Sequence, residues 1–600
     1  MFSKKLKQFL KNPIMVMTTA VFFAWIWLRF KPTFSAKTGF HLSGTTSHPL
    51  FLIPISFVFF MFLSYSFFSR EKLDKLDETI AAAPGGTVRS CLSGFFVLCS
   101  VDLLLLALVW AYHIYCCQEA LGYWDTGIVL FGLRCYVVHI FLVNIFSILV
   151  GLAATFCKSE PKAYALMVAV NCFFSQFFLS TLYTMAGMDK TAYQAADLFA
   201  LTTRMYYAGA DEDYVISIEG IEWQRVLFWI FLCLAIILFH ILPKRKIPAA
   251  VCSGALAALC LCLYMLPTGA YRVDDSESNQ DAWREERSYY EQYPEYVGTE
   301  ENYHPDESFR ITKYVAELAM QRVLKAKVTV YVDQDNLNEY VFALRHEYQV
   351  TDVRDEQGQA LPFTQRGDWV EVQAGSGRPH TCFTLFYRGA SQKNLSTSQA
   401  VRLPAYFAYL PFSGKRYLYF SWSKAYGVKD EETQRMDEAV GIYDDTDYLS
   451  YTGPVMEGPG YEAEYDLTVK STQKVYCNLP EVGRNHFRGR SDGVTLAASA
   501  FLRKKEIAGA FLVYSIGRWK YAPADTGSTI MEEWEAFIRE NGLQGKTIFV
   551  SGVAFGSMEE DRYFGKNHLV LQSTLSADAY QWFLKTGEIS YNDVYLPVNQ

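Results

Sequence analysis

The sequence predicts a polytopic α-helical membrane domain of about seven spans, then a mainly β extracytoplasmic domain of sandwich or saddle form, then a short α/β segment. Three observations carry that prediction. The 600-residue chain is mostly apolar up to Pro267 and mostly polar after it, so an overall hydrophobic share of 51% averages two unlike halves. Seven apolar runs, near 13–30, 49–68, 91–116, 126–156, 163–187, 226–243 and 249–267, meet or approach the length of about 20 residues that a hydrocarbon core of roughly 30 Å requires. Beyond them the dominant pattern is period-2 alternation in stretches rich in β-branched and aromatic residues.

The first run follows KKLKQFLKN, a start that a secretion signal would share. No small-x-small cleavage site lies close behind its apolar centre and further spans follow, so it reads as a retained anchor. The fourth run is long enough to tilt or to break near Gly151. Lys4, Lys5, Lys7 and Lys11 precede the first run, Arg70, Lys72, Lys75 and Arg89 follow the second, Lys158 and Lys162 the fourth, and Lys244, Arg245 and Lys246 the sixth. These alternate segments are therefore expected in the cytosol, together with the N-terminus, at a cell membrane. Loop 117–125 has no Lys or Arg and belongs outside, whereas Lys31 and Lys37 in loop 31–48 run against the trend. In loop 188–225, also outside, AYQAADLFALTTRMYYA reads as an amphipathic helix on the bilayer surface and DEDYVISIEGIEW as extended. The polar residues within the runs are Asp102, Arg134, His139, Asn144, Asn171 and Gln176. A charge in hydrocarbon seeks a partner or a water-filled cavity, which makes Asp102 and Arg134 the candidate pair, either in a substrate path or as a packing device. Eleven of the thirteen cysteines lie in this half and read as small apolar residues; Cys382 and Cys477 lie outside it, with their bonding left open. A net charge of −8 without a basic stripe excludes nucleic acid as a partner.

Between the second and third runs, REKLDKLDETIAAAP spans Arg70 to Pro84. It sets Leu73, Leu76 and Ile80 at helical i, i+3, i+7 spacing, with Glu71, Lys72, Asp74, Lys75, Asp77 and Glu78 around the remaining surface. That pattern fits a solvated charged loop or a short helix lying at a membrane face. Arg70, Glu71, Glu78, Ile80 and Pro84 resemble the cytosolic elbow of type-2 ABC exporter permeases: an Arg-Glu opening, an acidic residue, an apolar turn and a closing Pro. The family's Gly-Thr pair is absent, and Lys75 and Leu76 stand in its place. The resemblance covers six spans and the elbow; the seventh run departs from it as an added hinge. It implies a separate ATP-binding subunit, polar contacts to it from Glu71 and Glu78, and packing of Leu73, Leu76 and Ile80 in its groove. It also implies a second permease, identical or related, across the pathway.

The exterior half opens with an acidic linker, 268–308, in which a dozen Asp and Glu fall between Tyr271 and Glu307 and Arg284 and Arg287 are among the few bases. It reads as a solvated spacer that anionic headgroups repel. Strand patterns follow at 328–332, 340–353, 369–374, 383–389, 417–422, 461–469, 494–502 and 511–516, with turns such as DEQGQ and GSGRP between them. FRITKYVAELAMQRVLK, just before, is ambiguous between helix and strand. The phrases FTLFYRG, YEAEYDLTV, VYCNLP and GAFLVYSIGRWKY, within a β-domain at 309–522, resemble the N-terminal β-domain of aminopeptidase N-type zinc peptidases. Residues 523–600 then resemble a truncated, degenerate beginning of the peptidase part. GSMEE at 556–560 resembles the family's Gly-x-Met-Glu-Asn loop, which implies that Glu559 holds a peptide's α-amino group, with Glu560 in place of Asn.

Hydrolysis needs HExxH on a helix, two imidazoles one turn apart on zinc with a Glu activating water, plus a third acidic ligand. No HExxH occurs in the chain. SADAYQWF at 576–583 resembles the zinc helix only with Ser576 and Tyr580 for the histidines and Ala577 for the base, and the third ligand would fall near Asn599. HEYQV at His346 ends on Val350. No metal site and no cofactor are therefore expected. GLQGKT at 542–547 has Glu540 where a Walker A loop needs Gly, so ATP is expected only on the partner. Asn394-Leu-Ser has the form of a glycosylation sequon. The expected function is that of a non-enzymatic permease subunit of an ABC transporter, an exporter, whose exterior domain binds a peptide or polypeptide cargo or a partner. The alternative is a membrane-anchored binding or sensor protein that transports nothing; a working peptidase would need a metal site completed by another polypeptide.

Overall fold

Hydrocarbon satisfies no backbone group, so a long apolar run folds as helix, and the described apolar runs of the first half of the chain are helical. The computed structural model describes all residues except 36–47, 74–81, 83–84, 122–123, 188, 202–215, 243–246, 270–280, 300–307, 376–378, 392–393, 426–447, 456, 516–529, 552–562 and 573–600. It divides into two units, Met1–Val273 on one hand and Asp274–Ser515 with Ala522–Gln600 on the other.

In the first unit the helices are α1 (Phe2–Lys11), α2 (Pro13–Ser35), α3 (Leu52–Leu73), α4 (Gly86–Leu121), α5 (Thr126–Tyr136), α6 (Leu142–Ala154), α7 (Glu160–Phe173), α8 (Gln176–Ala186), α9 (Lys190–Asp197), α10 (Gly220–Ile241) and α11 (Ile247–Tyr264). Five segments are long and apolar enough to cross a membrane: Pro13–Phe30, Pro49–Arg70, Gly86–Gln118, Thr126–Ala154 and Gly220–Ile241. Helices α7 and α8 make a sixth if taken as one span bent by 48°, and Pro248–Tyr264 is a shorter apolar helix. Ser175 makes the bend: it is extended, and its hydroxyl caps α8 by accepting the Phe178 N–H at 3.2 Å.

The fourth run does not break near Gly151. Its irregularity is a π turn at Val137–Phe141, joining α5 to α6. Gly151 is a contact point instead, since a Cβ there would lie 2.3 Å from the Met61 carbonyl oxygen of α3. Around it Ser64 Oγ donates to the Ile148 carbonyl at 2.7 Å and Ser147 Oγ to the Phe57 carbonyl, the close small-residue packing that membrane helices use in place of a hydrophobic drive. Helix α9 was expected on the bilayer surface, but Tyr193, Gln194, Ala196 and Asp197 are buried. Gln194 and Tyr264 exchange two bonds, Nε2 to carbonyl at 2.6 Å and hydroxyl to carbonyl at 2.8 Å, which draws α9 against α11. The last residues of DEDYVISIEGIEW are helical, because α10 begins at Gly220.

The second unit is mainly β. The ambiguous stretch forms the strands Ile311–Ala319 and Leu324–Val332, paired antiparallel. Tyr314, Ala316 and Leu318 point inward while Val315 and Glu317 point out, so period-2 burial overrides local helix propensity. This hairpin sits inside a seven-stranded sheet, in the order Glu481–Gly483, His486–Ser491, Ala463–Lys470, Ile311–Ala319, Leu324–Val332, Cys382–Gly389 and Tyr348–Arg354. A four-stranded sheet packs Tyr340 and Phe342 onto Phe383 of the large one. Toward the C-terminus, a five-stranded mixed sheet runs Leu502–Ile507, Ala510–Ser515, Thr547–Ser551, His568–Gln572 and Tyr563–Phe564. GLQGKT is the turn into one of its strands, with Gly542 and Gly545 at φ of +62° and +79°. Cys382 and Cys477 are buried free thiols, and Asn394 is fully buried, out of reach of a glycan in the folded chain.

Residues 268–308 are more than a spacer. Helix α12 (Asp281–Gln292) lies within them, and its Tyr290 joins a core with Tyr296, Ala343, Trp369, Ala408, Phe412, Leu418 and Tyr419. Tyr289, Tyr290 and Tyr293 recur at helical spacing, so one face of an acidic stretch is aromatic; Tyr290 on it is buried, Tyr289 half-buried and Tyr293 exposed.

Candidate functional site

A π turn inserts one residue into a helix and rotates everything after it by about 100°. The turn at Val137–Phe141 thereby aims the polar residues of α6 inward. Asn144 Nδ2 donates to Asp102 Oδ1 of α4 at 2.8 Å, and both residues are fully buried. Asp102 stands midway along the span Gly86–Gln118. Arg134, its expected partner, is exposed on α5, before the π turn. The amide is the cheaper partner, because it supplies an N–H to the carboxyl without desolvating a guanidinium.

A second polar group surrounds the start of α10. Arg225 is 1% exposed; its Nη2 is 2.7 Å from Glu222 Oε2 and its Nη1 3.6 Å from Asp197 Oδ2. The Tyr183 hydroxyl donates to Asp197 Oδ1 at 2.6 Å, and His139 Nε2 lies 2.9 Å from the Ser217 carbonyl. Charged residues beside an apolar run read in sequence as loop. The signal that finds them is the Glu222–Arg225 pair at i, i+3.

Of the elbow residues, Arg70 is exposed near the end of α3, and Glu71 and Leu73 continue its helical backbone. Leu76, Glu78, Ile80 and Pro84 lie outside the described residues, as do Glu559 and the SADAYQWF stretch.

In the second unit His346 and Glu347 occupy a turn, not a strand, at the centre of a buried network. Arg345 grips Glu347 with two bonds of 3.0 Å and reaches Glu286 of α12 at 2.5 Å. Asp368 Oδ1 accepts from the His346 backbone N–H at 2.8 Å and faces Nδ1 at 3.0 Å, while Oδ2 accepts the Tyr290 hydroxyl at 2.6 Å. The Tyr289 ring stacks flat on His346 with centres 3.5 Å apart. Burial works against a charge on His346, but Glu347 and Asp368 outweigh it and raise the imidazole above its ordinary range. Burial also opposes ionisation of Glu347, yet Arg345 and His346 hold its carboxyl well below the usual carboxylate range. The network fixes α12 to the β-domain. Among the described residues no group of three or more His, Cys, Asp or Glu is placed to hold a metal ion.

No known protein family matches the chain, and no curated protein is similar to it. Among solved structures, the M1 zinc metallopeptidase from Deinococcus radiodurans shows weak similarity to the C-terminal part, with 13% identity and a TM-score of 0.28 over 46% of this chain and 65% of that one. A point mutant of the same enzyme gives 13% identity and a TM-score of 0.30 over 48% and 67%. The chain thus spans about two thirds of the length of these peptidases.

Proposed function

We propose that the chain is a permease subunit of an ABC transporter, working as an exporter with a separate ATP-binding subunit and a second permease. Its exterior domain is, in this proposal, a non-catalytic peptidase-like module that binds a peptide or polypeptide cargo or an extracytoplasmic partner, with Glu559 as the candidate contact. The observation that carries this reading is the junction of span and charge at 70–84. Helix α3 continues past the end of its apolar segment at Arg70 through Glu71 to Leu73, so the Arg-Glu opening follows directly from that helix. Closure of the ATP-bound partner would push on that segment and move α3. Helix α6 would follow, because Ser64, Ser147 and Gly151 tie it to α3. The N-terminus then lies in the cytoplasm and the β-domain outside.

Glu78→Lys tests the proposal. Reconstituted with its partner, the variant is expected to lose ATP-driven transport while the spans keep their thermal stability; normal transport would refute the assignment. The second reading, an anchored binding or sensor protein, draws on the network that fixes α12 to the β-domain, since a sensor needs its first exterior helix held by the domain that senses. It predicts that no transport, and no effect of Glu78→Lys, will be found.

A further inference from the structure

We propose that Asp102 and Asn144 form a proton-binding site in the middle of the membrane unit, the ligand being one hydrogen ion on Asp102 Oδ2. The donors and acceptors of the two side chains carry the argument. Asn144 Nδ2 gives one N–H to Asp102 Oδ1 at 2.8 Å. That leaves Asp102 Oδ2 and Asn144 Oδ1, both buried and, among the described residues, both without a hydrogen-bond partner. An ionised carboxylate and an amide oxygen only accept, so these two atoms cannot satisfy each other as they stand. Turning the amide over would merely exchange one orphan acceptor for another. A carboxylic acid and a primary amide, however, pair through two bonds at once, amide N–H to one acid oxygen and acid O–H to the amide oxygen. A single proton on Oδ2 turns an orphan acceptor into the donor that Asn144 Oδ1 lacks, and closes the pair.

Among the described residues the surroundings supply no other remedy. Asp102 is fully buried midway along its span, where an isolated carboxylate is costly. Among the described residues no Lys, Arg or His forms an ion pair with it, and Arg134 is exposed. Cys99, about one turn back on the same helix, is its titratable neighbour. The proton is taken up from water and released to it with no other bond made or broken. Its effect is mechanical: with it, α4 and α6 share two hydrogen bonds, and without it Asp102 Oδ2 and Asn144 Oδ1 are left as unsatisfied acceptors in the interior. Asn144 follows the π turn, so the site reports on the irregular point of the fourth span. The proposal requires only that these helices cross a membrane and is independent of the transporter assignment.

The experiment is infrared difference spectroscopy on the full-length protein in phosphatidylcholine vesicles at neutral pH. Wild type minus Asp102→Asn is expected to show the carbonyl stretch of a protonated carboxyl, moved to lower frequency in heavy water. Asn144→Leu keeps the acid and removes the amide, and is expected to keep that band but at higher frequency. A carboxylate pair in place of the acid band overturns the proposal. So does a carboxylate band that shifts when sodium replaces potassium, which would make the two oxygens ligands of a small cation. If Asp102→Asn does not fold, Asn144→Leu decides: an acid region unchanged from wild type overturns the site.

Discussion

Two buried polar sites, one in each unit, compensate charge by opposite means. In the second unit Arg345, Glu286, Glu347, His346 and Asp368 compensate one another through contacts of 2.5 to 3.0 Å drawn from a helix, a turn and a strand end. In the first unit Arg225 is paired with Glu222 and Asp197, but Asp102 meets a neutral amide and, among the described residues, no group of opposite charge. Where several segments converge, a polar cluster can be assembled with both signs. At mid-span, a second charge would add its own desolvation, and a hydrogen-bonding amide is the cheaper answer.

The sharpest way to break that contrast is Arg345→Ala. It strands Glu286 and Glu347 in the interior, and unfolding of the second unit should lose about 3–5 kcal/mol, read from its urea midpoint in the full-length protein. A loss below about 1 kcal/mol would mean that water already compensates these carboxylates. Tyr290→Phe removes one of the donors to Asp368 and should cost about 1.5–3 kcal/mol by the same assay. On the membrane side Gly151→Ala drives a Cβ against the Met61 carbonyl, which is backbone and cannot swing away. About 1–3 kcal/mol of stability should go, seen as a lower thermal midpoint in detergent, while an unchanged midpoint would dispute the close approach of α3 and α6. The smallest effect is that of pH. His346 has a raised folded pKa, so its contribution is full below the ordinary imidazole value of about 6.5 and is lost as pH rises through the folded value. The groups that face it are Tyr289, Tyr290, Glu347, Asp368 and Arg345. Wild type should be more stable at pH 6 than at pH 8.5, and His346→Gln should flatten that slope; an equal slope in both proteins would remove His346 from the account.

Much of the architecture was legible because it follows from periodicity. The apolar runs announced the helices, and alternation announced most strands, with 340–353 split in two by the Arg345–Glu347 turn. What escaped depended on distant partners. Ile311–Ala319 stays ambiguous between helix and strand until the strands beside it, one of them about 150 residues later, make it the middle of a sheet. Asp102 was matched to Arg134 by charge, yet a one-residue insertion at the π turn decides which face of the fourth span meets α4. The aromatic face of α12 was hidden by its acidic composition, although Glu286, Tyr289, Tyr290 and Tyr293 carry a helical period. Of the candidate sites, the Arg-Glu opening of the elbow continues α3, while Glu78 and Glu559 fall outside the described residues.

The transporter assignment stands or falls on its partner. Purification of the protein from its native membrane in mild detergent, followed by mass spectrometry and an ATPase assay, tests it most directly. A stoichiometric Walker-type ATPase that is lost with Glu78→Lys is the predicted result. Its absence, under conditions in which other membrane complexes survive, would contradict the assignment and leave an anchored binding protein.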